Sequence, residues 1–141
     1  MLKDFKEFNF EVIDVSTKGT PDIFVNLNGV TFTKKAIETI GFPPYVRPLI
    51  DVENKAFAVQ VCKQNDEKAI SFSKPRGEQI NGVSVQLLAV LRTIRTIMRD
   101  KWQENNRYRI AGIYYPEAKA MVFDLNSAEE MPAFRLTTKQ K

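Results

Sequence analysis

Residues 92–109, RTIRTIMRDKWQENNRYR, carry six basic side chains and two acidic ones. Five of the six are arginines, namely Arg92, Arg95, Arg99, Arg107 and Arg109, with Lys101 as the sixth. A guanidinium presents a planar fork of donors that meets phosphate oxygens or a guanine edge two bonds at a time, whereas lysine offers only a point charge. The chemistry on offer is therefore recognition of a polyanion. The location of the charge sharpens this. Residues 1–91 hold eleven basic and eleven acidic side chains and residues 110–141 hold four of each, so the whole net charge of +4 lies in this one stretch.

Plainer uses compete with binding. At 3.6 residues per turn, Arg92, Arg95 and Arg99 fall within about 60° of one another and roughly 110° from the centre of an apolar stripe. That stripe is Leu87, Leu91, Ile94, Met98 and Trp102. Arginines so placed can lay their stems on apolar surface with their heads in water, a purely structural use. They can equally line one edge of a groove. Asp100 and Glu104 interrupt the run, and a solvated face or an acidic protein surface would also satisfy it. The bias towards arginine favours nucleic acid. Lys34 and Lys35 open a short helix, where a bound phosphate would account for both; ordinary solvation accounts for them as well. Trp102 closes the apolar stripe and so belongs to the core. Tyr114 and Tyr115, beside a proline turn, either pack over a hairpin end or stack on exposed bases.

Other chemistries are poorly supplied. There is no histidine, which removes Ser-His-Asp and Cys-His pairs, the commonest general base and nearly every zinc site. Cys62 is the only cysteine, so no internal disulfide forms, and after Val59 and Val61 it reads as a small core residue at a strand end. No glycine-rich phosphate loop is present. Acidic pairs such as Asp66-Glu67 and Glu129-Glu130 stand in polar surroundings that favour solvation over acid–base work. The opening MLKDFKEFNF lacks the apolar segment of a signal peptide. The longest apolar run, LLAVL at 87–91, is far short of the ~20 residues that span a bilayer. The expectation is a cytoplasmic, non-enzymatic protein with no cofactor, no metal and no membrane partner.

The elements that must position the arginines read as follows. FNFEV alternates Phe8, Phe10 and Val12 with polar residues, the period of a half-buried strand. Asn28-Gly29, set between Ile23/Val25/Leu27 and Val30/Phe32, predicts a hairpin with positive φ at the turn. Thr33 caps a short helix over about 34–40 that Gly41 ends. YVRPLID and AFAVQVC are strands, with Pro48 placing the first at an edge or a bulge. AISFS is a short strand and KPRGEQING a linker. The apolar stripe predicts a long helix over about 83–104, capped by Ser84. RYRIAGIY and KAMVFDL form a second hairpin. The fold class is thus α+β, antiparallel strands and hairpins packed on one long and one short helix. A single domain covers 1–126, followed by a partly ordered tail at 127–141.

The chain also says a similar thing twice. Asn28-Gly29-Val30-Thr31-Phe32 leads into Ala36-Ile37, and Asn81-Gly82-Val83-Ser84-Val85 leads into Ala89-Val90 at the same spacing. Later turns repeat as Glu53-x-Lys55-Ala56 and Glu117-x-Lys119-Ala120. Chance and duplication both account for such short matches. Under duplication the halves are 22–74 and 77–126, sharing one core as a pseudo-dimer. The first copy, with Thr33, Ile40-Gly41-Phe42 and the two strands after them, resembles the AbrB-like swapped-hairpin family. That resemblance implies paired β-α-β-β units and DNA-binding regulators or antitoxins. It covers 28–62 and, more loosely, 81–125. Where the family has Gly-Arg and a helix-opening proline, this chain has Gly29-Val30 and Thr33-Lys34, so no DNA-contacting residue carries over by position. The functional expectation is a small regulator-like protein that grips phosphates of nucleic acid through the arginines. The alternative is a phage or mobile-element interaction module or homodimer, including an inhibitor of a host nucleic-acid-processing system.

Overall fold

The computed structural model describes residues 7–9, 20–85 and 88–131 of the chain. It is mixed α+β. Strands β1 (Asp22–Val25) and β2 (Val30–Phe32) form the first hairpin, with Val25 opposite Val30. Its turn differs from the expected one. Four residues, not two, span the gap, the Asn26 N–H donates to the Gly29 carbonyl at 2.8 Å, and neither Asn28 nor Gly29 has a positive φ. The wider loop needs no left-handed residue and leaves Leu27 half exposed at its tip.

Helix α1 (Lys34–Ile40) has the boundaries its caps dictate. The Thr33 hydroxyl accepts the Ala36 N–H at 3.2 Å, and Gly41 stands at φ 93° with its N–H on the Ile37 and Glu38 carbonyls. Ala36, Ile37 and Ile40 are buried. Strands β3 (Tyr45–Asp51) and β4 (Ala56–Val61) pair as a hairpin. Pro48 sits where β3 has β4 on one side and no strand on the other, since β5 (Ile70–Ser71) reaches only Tyr45 and Val46.

The long helix is shorter than its stripe. Val83, Ser84 and Val85 are a strand, β6, paired with β2, so Ser84 caps nothing. Helix α2 covers Leu88–Ile97, with Leu87 outside the described residues. Beyond it Met98–Trp102 continues as turns. The Lys55 ammonium, arriving from the β3–β4 turn, donates to the Ile97 carbonyl at 3.3 Å and satisfies an acceptor at the helix end. Leu91, Ile94 and Met98 are buried as the stripe requires.

Strands β7 (Arg107–Tyr115) and β8 (Ala120–Asp124) form the last hairpin. After a 3-10 turn at Leu125–Ser127, Glu129–Met131 make a further strand, β9, along the start of β7. The segment expected to be tail is therefore part of the sheet up to Met131. The expected linker at 74–82 is likewise folded. Gln79 is buried there, its side chain accepting the Lys74 N–H at 2.7 Å and donating to the Asn81 carbonyl at 2.6 Å. The FNFEV strand and the tail beyond 131 lie outside the described residues, apart from Phe8 and Asn9.

The nine strands form one antiparallel sheet in the order β5-β3-β4-β8-β7-β1-β2-β6, with β9 beside β7. In a flat sheet Phe32 on β2 would lie roughly 14 Å from Phe123 on β8, three strands away at ~4.8 Å each. Their ring centroids are 6.0 Å apart, and Phe57 on β4 lies 6.5 Å from Phe32. The sheet therefore curls into a half-barrel around these rings, and the buried faces of α1 and α2 join the same core.

Register ties the repeated motifs together. Thr31 of the first motif faces Ser84 of the second, and Ala58 faces Val122. The turns match too. Lys55 and Lys119 both take positive φ, 54° and 51°, and the bonds Leu125 N–H to Lys55 carbonyl and Val61 N–H to Lys119 carbonyl mirror each other at 3.0 and 2.9 Å. Gly82, ahead of β6, is sterically required. A Cβ there would stand 2.2 Å from the Phe32 carbonyl oxygen, which cannot retreat without opening the β2–β6 pairing. Gly82→Ala is expected to cost about 2 kcal/mol, seen as a lower urea midpoint at unchanged slope.

Among the described residues no helix is long and apolar enough to cross a membrane.

Candidate nucleic-acid interface

Because α2 buries Leu91, Ile94 and Met98, its other side turns towards the β1–β2 loop and the turns that follow the helix. Between them runs a groove of about 780 Å³ lined by Leu27, Arg92, Arg95, Arg99, Trp102 and Glu104, among others. Three of the five expected arginines thus share one concavity. Arg92 and Arg99 are exposed, and among the described residues neither guanidinium has an ion pair or hydrogen bond. Glu104 is the acid on the same wall.

Arg95 is used differently. Its guanidinium donates to the carbonyls of Asn106 at 2.9 Å, Asn26 at 3.1 Å and Val25 at 3.4 Å, with longer contacts at 3.5 Å to Gln103 and Glu104. It also lies 6.0 Å from the ring centres of both Trp102 and Tyr108. Those carbonyls belong to the end of β1, the hairpin loop and the run into β7, so a single side chain fastens three segments to α2. Burial lowers its pKa from the usual arginine value, while Tyr108 and Glu104 pull the other way. Arginine remains charged regardless. Its Nη1 and Nη2 donors are spent on backbone, and among the described residues its Nε is buried without a partner, leaving Arg95 as a wall of the groove more than a contact.

Trp102 and Tyr108 build the floor behind it. Their rings stack at 4.1 Å between centroids and 7° between planes, and the buried Tyr108 hydroxyl accepts the Gln103 N–H. Burial raises the Tyr108 phenol above its ordinary range, with the Gln103 bond opposing. Trp102 is therefore packed, as the stripe implied, although through the turns after α2 and not through the helix.

The remaining arginines separate. Arg107 lies outside the groove and lines a neighbouring hollow, which it shares with Asn26, Leu27, Asn28, Gly29, Thr31 and Ser84. Arg109, two residues on, is neutralised. Its Nε lies 3.6 Å from the buried Asp22 carboxylate and 3.5 Å from Glu129. Asp22 is also held by the Thr20 hydroxyl, so this pair fastens β7 to β1 and β9. Lys34 is exposed, and Lys35 pairs with Glu38 at 3.6 Å. Neither lines the groove or the hollow, and the Thr33 hydroxyl already occupies the start of α1.

Sequence reading did not find Leu27, Asn26, Thr31 or Ser84 at this surface. One signal was there for the last two, since they hold the same place in the two Asn-Gly-Val motifs. Tyr114 packs against the core and Tyr115 is part exposed, on the opposite end of β7 from Arg107. Burial, reinforced by Asp66, raises the Cys62 thiol and makes it a poor nucleophile. Among the described residues no cluster of metal-ligating side chains occurs. No family model, curated protein or solved structure matches this chain.

Proposed function

We propose that this chain is a small cytoplasmic nucleic-acid-binding protein of regulator-like kind, which seats a phosphate backbone in the groove beside α2. The observation that supports it is the pair of exposed guanidiniums of Arg92 and Arg99, unpaired among the described residues, on one concave wall that Arg95 fixes. Binding requires no catalytic step, cofactor or metal. Arg109, Lys34 and Lys35 drop out of the contact set, and Arg107 extends it past Leu27. If Arg92, Arg99 and Arg107 each neutralise one phosphate, the plot of log K against log salt has a slope of about −2.7 on duplex DNA and roughly −2.1 on single strands. Fluorescence anisotropy with labelled duplexes and single strands across a salt series measures it. A slope near zero sinks this reading.

The paired motifs support a tandem pseudo-dimer, with halves 22–74 and 77–126 exchanging strands in the manner of the AbrB-like resemblance. Each half supplies a strand, a helix and a hairpin, namely β2, α1 and β3–β4 in the first and β6, α2 and β7–β8 in the second, and the first adds β1 and the short β5. β1 and β2 of the first lie on β7 and β6 of the second, and β4 of the first lies on β8 of the second. In that layout the helices serve as covers for a shared sheet and not as platforms for separate hairpins.

A second reading, self-association, draws on the outer face of the sheet. Leu49, Ala58, Val122 and Ile113 stand opposite one another across four strands, and Leu49 and Ile113 are 40% and 61% exposed. The row is symmetric about its centre, which suits an isologous contact with a second copy of the chain. A flat salt response together with concentration-dependent sedimentation would favour it.

A further inference from the structure

We infer that the hollow beside the β1–β2 loop is an oxyanion site that takes a single phosphate group. It measures about 340 Å³, and among the described residues no acidic one lines it. By register Arg107 shares the outer face of the sheet with Thr31 and Ser84, since Phe24 faces Arg109 on one side and Thr31 on the other, and Thr31 faces Ser84. Among the described residues the Arg107 Nε is buried with no partner and Arg107 forms no ion pair. A buried charged donor without an acceptor costs free energy that a bound oxygen recovers.

The polar chain around it is arranged to donate. The Asn26 amide donates to the Thr31 hydroxyl at 3.1 Å, and the Thr31 and Ser84 hydroxyls are 2.9 Å apart. Whichever hydroxyl gives its proton to the other, one O–H remains over. Among the described residues the second hydrogen of the Asn26 amide is also uncommitted. Guanidinium, hydroxyl and amide thus converge on one acid-free hollow, a donor set matched to an anion with several acceptor oxygens. A neutral hydrogen-bonding ligand would leave the guanidinium charge unanswered.

That the phosphate belongs to nucleic acid rests on the reading above; the site itself does not. The test is an NMR titration of the full chain with inorganic phosphate, against chloride at matched ionic strength. Saturable shifts are expected at the Asn26 side-chain amide and the Arg107 Nε–H, with a dissociation constant in the millimolar range or tighter. Arg107→Gln should weaken phosphate about tenfold or more. Ser84→Ala, which removes only a surface hydroxyl, should weaken it severalfold and decides the matter if Arg107→Gln does not fold. Shifts that fail to saturate, that appear only at Arg92 and Arg99, or that survive both substitutions overturn the site. Oligonucleotides with 5′-phosphate and 5′-hydroxyl ends then separate the sources. A preference for the phosphorylated end that Arg107→Gln abolishes identifies a strand terminus, and equal binding that the same change weakens identifies a phosphate within the strand. If Arg92→Glu with Arg99→Glu abolishes oligonucleotide binding while phosphate produces no shift, the groove stands and the hollow fails. Phosphate binding without oligonucleotide binding leaves the hollow and removes the groove.

Discussion

Arg95→Ala is expected to lower the unfolding free energy by about 3 kcal/mol, whereas Arg99→Ala one turn along stays within about 0.5 kcal/mol of the parent. The contrast follows from the partners. Arg99 has none among the described residues, while Arg95 satisfies the carbonyls of Val25, Asn26 and Asn106 and lies over two stacked rings. Removing the guanidinium leaves those acceptors partly buried and unpaired, and unpins the 103–106 loop from the end of β1. Arg95→Lys should recover only part of the loss, because the Val25, Asn26 and Asn106 carbonyls gather around the single Nη2, while the Nη1 contacts to Gln103 and Glu104 and the flat guanidinium beside the two rings have no counterpart in an ammonium. Urea unfolding of the three variants measures this. Equal stability of Arg95→Ala and Arg99→Ala would show that the carbonyl contacts contribute nothing.

The second large effect is on binding. Arg92→Glu combined with Arg99→Glu should weaken oligonucleotide affinity about a hundredfold at low salt, since each change deletes an attraction and adds a repulsion, and it should flatten the salt slope by about two. Both side chains are exposed and lack partners among the described residues, so the fold is retained. Anisotropy titrations paired with circular dichroism separate the two outcomes. Undiminished affinity in a folded double variant excludes the groove as the contact surface.

Elements whose determinants are local were legible in the sequence. Thr33 and Gly41 set both ends of α1, and alternation set the β3–β4 and β7–β8 hairpins. What depended on distant partners was not. The stripe from Leu91 to Trp102 continues with helical spacing, yet the Lys55 ammonium ends α2 at Ile97 and Tyr108 draws Trp102 into a turn. Val83 and Val85 fit a helix or a strand equally until β2 is placed beside them. Glu129–Met131 has no pattern of its own and is a strand because β7 offers an open side. The arginines show the same limit. Arg92, Arg95, Arg99 and Arg109 are alike in type, but one is committed to carbonyls and one to carboxylates supplied from β1, the loop and β9. Composition located the charge correctly and could not tell which heads are free.

The pairing of β1 with β7 sets an order on synthesis. Asp22 faces Ala111, so the first strand of the sheet leaves the ribosome with its long-range neighbour still untranslated. At roughly 5–20 residues per second that interval lasts on the order of ten seconds, during which the edge of the first hairpin stays open. The nascent chain therefore cannot bank its folding piecemeal. Cooperative closure waits until β7 has emerged, and slow codons placed before that point would lengthen the vulnerable window.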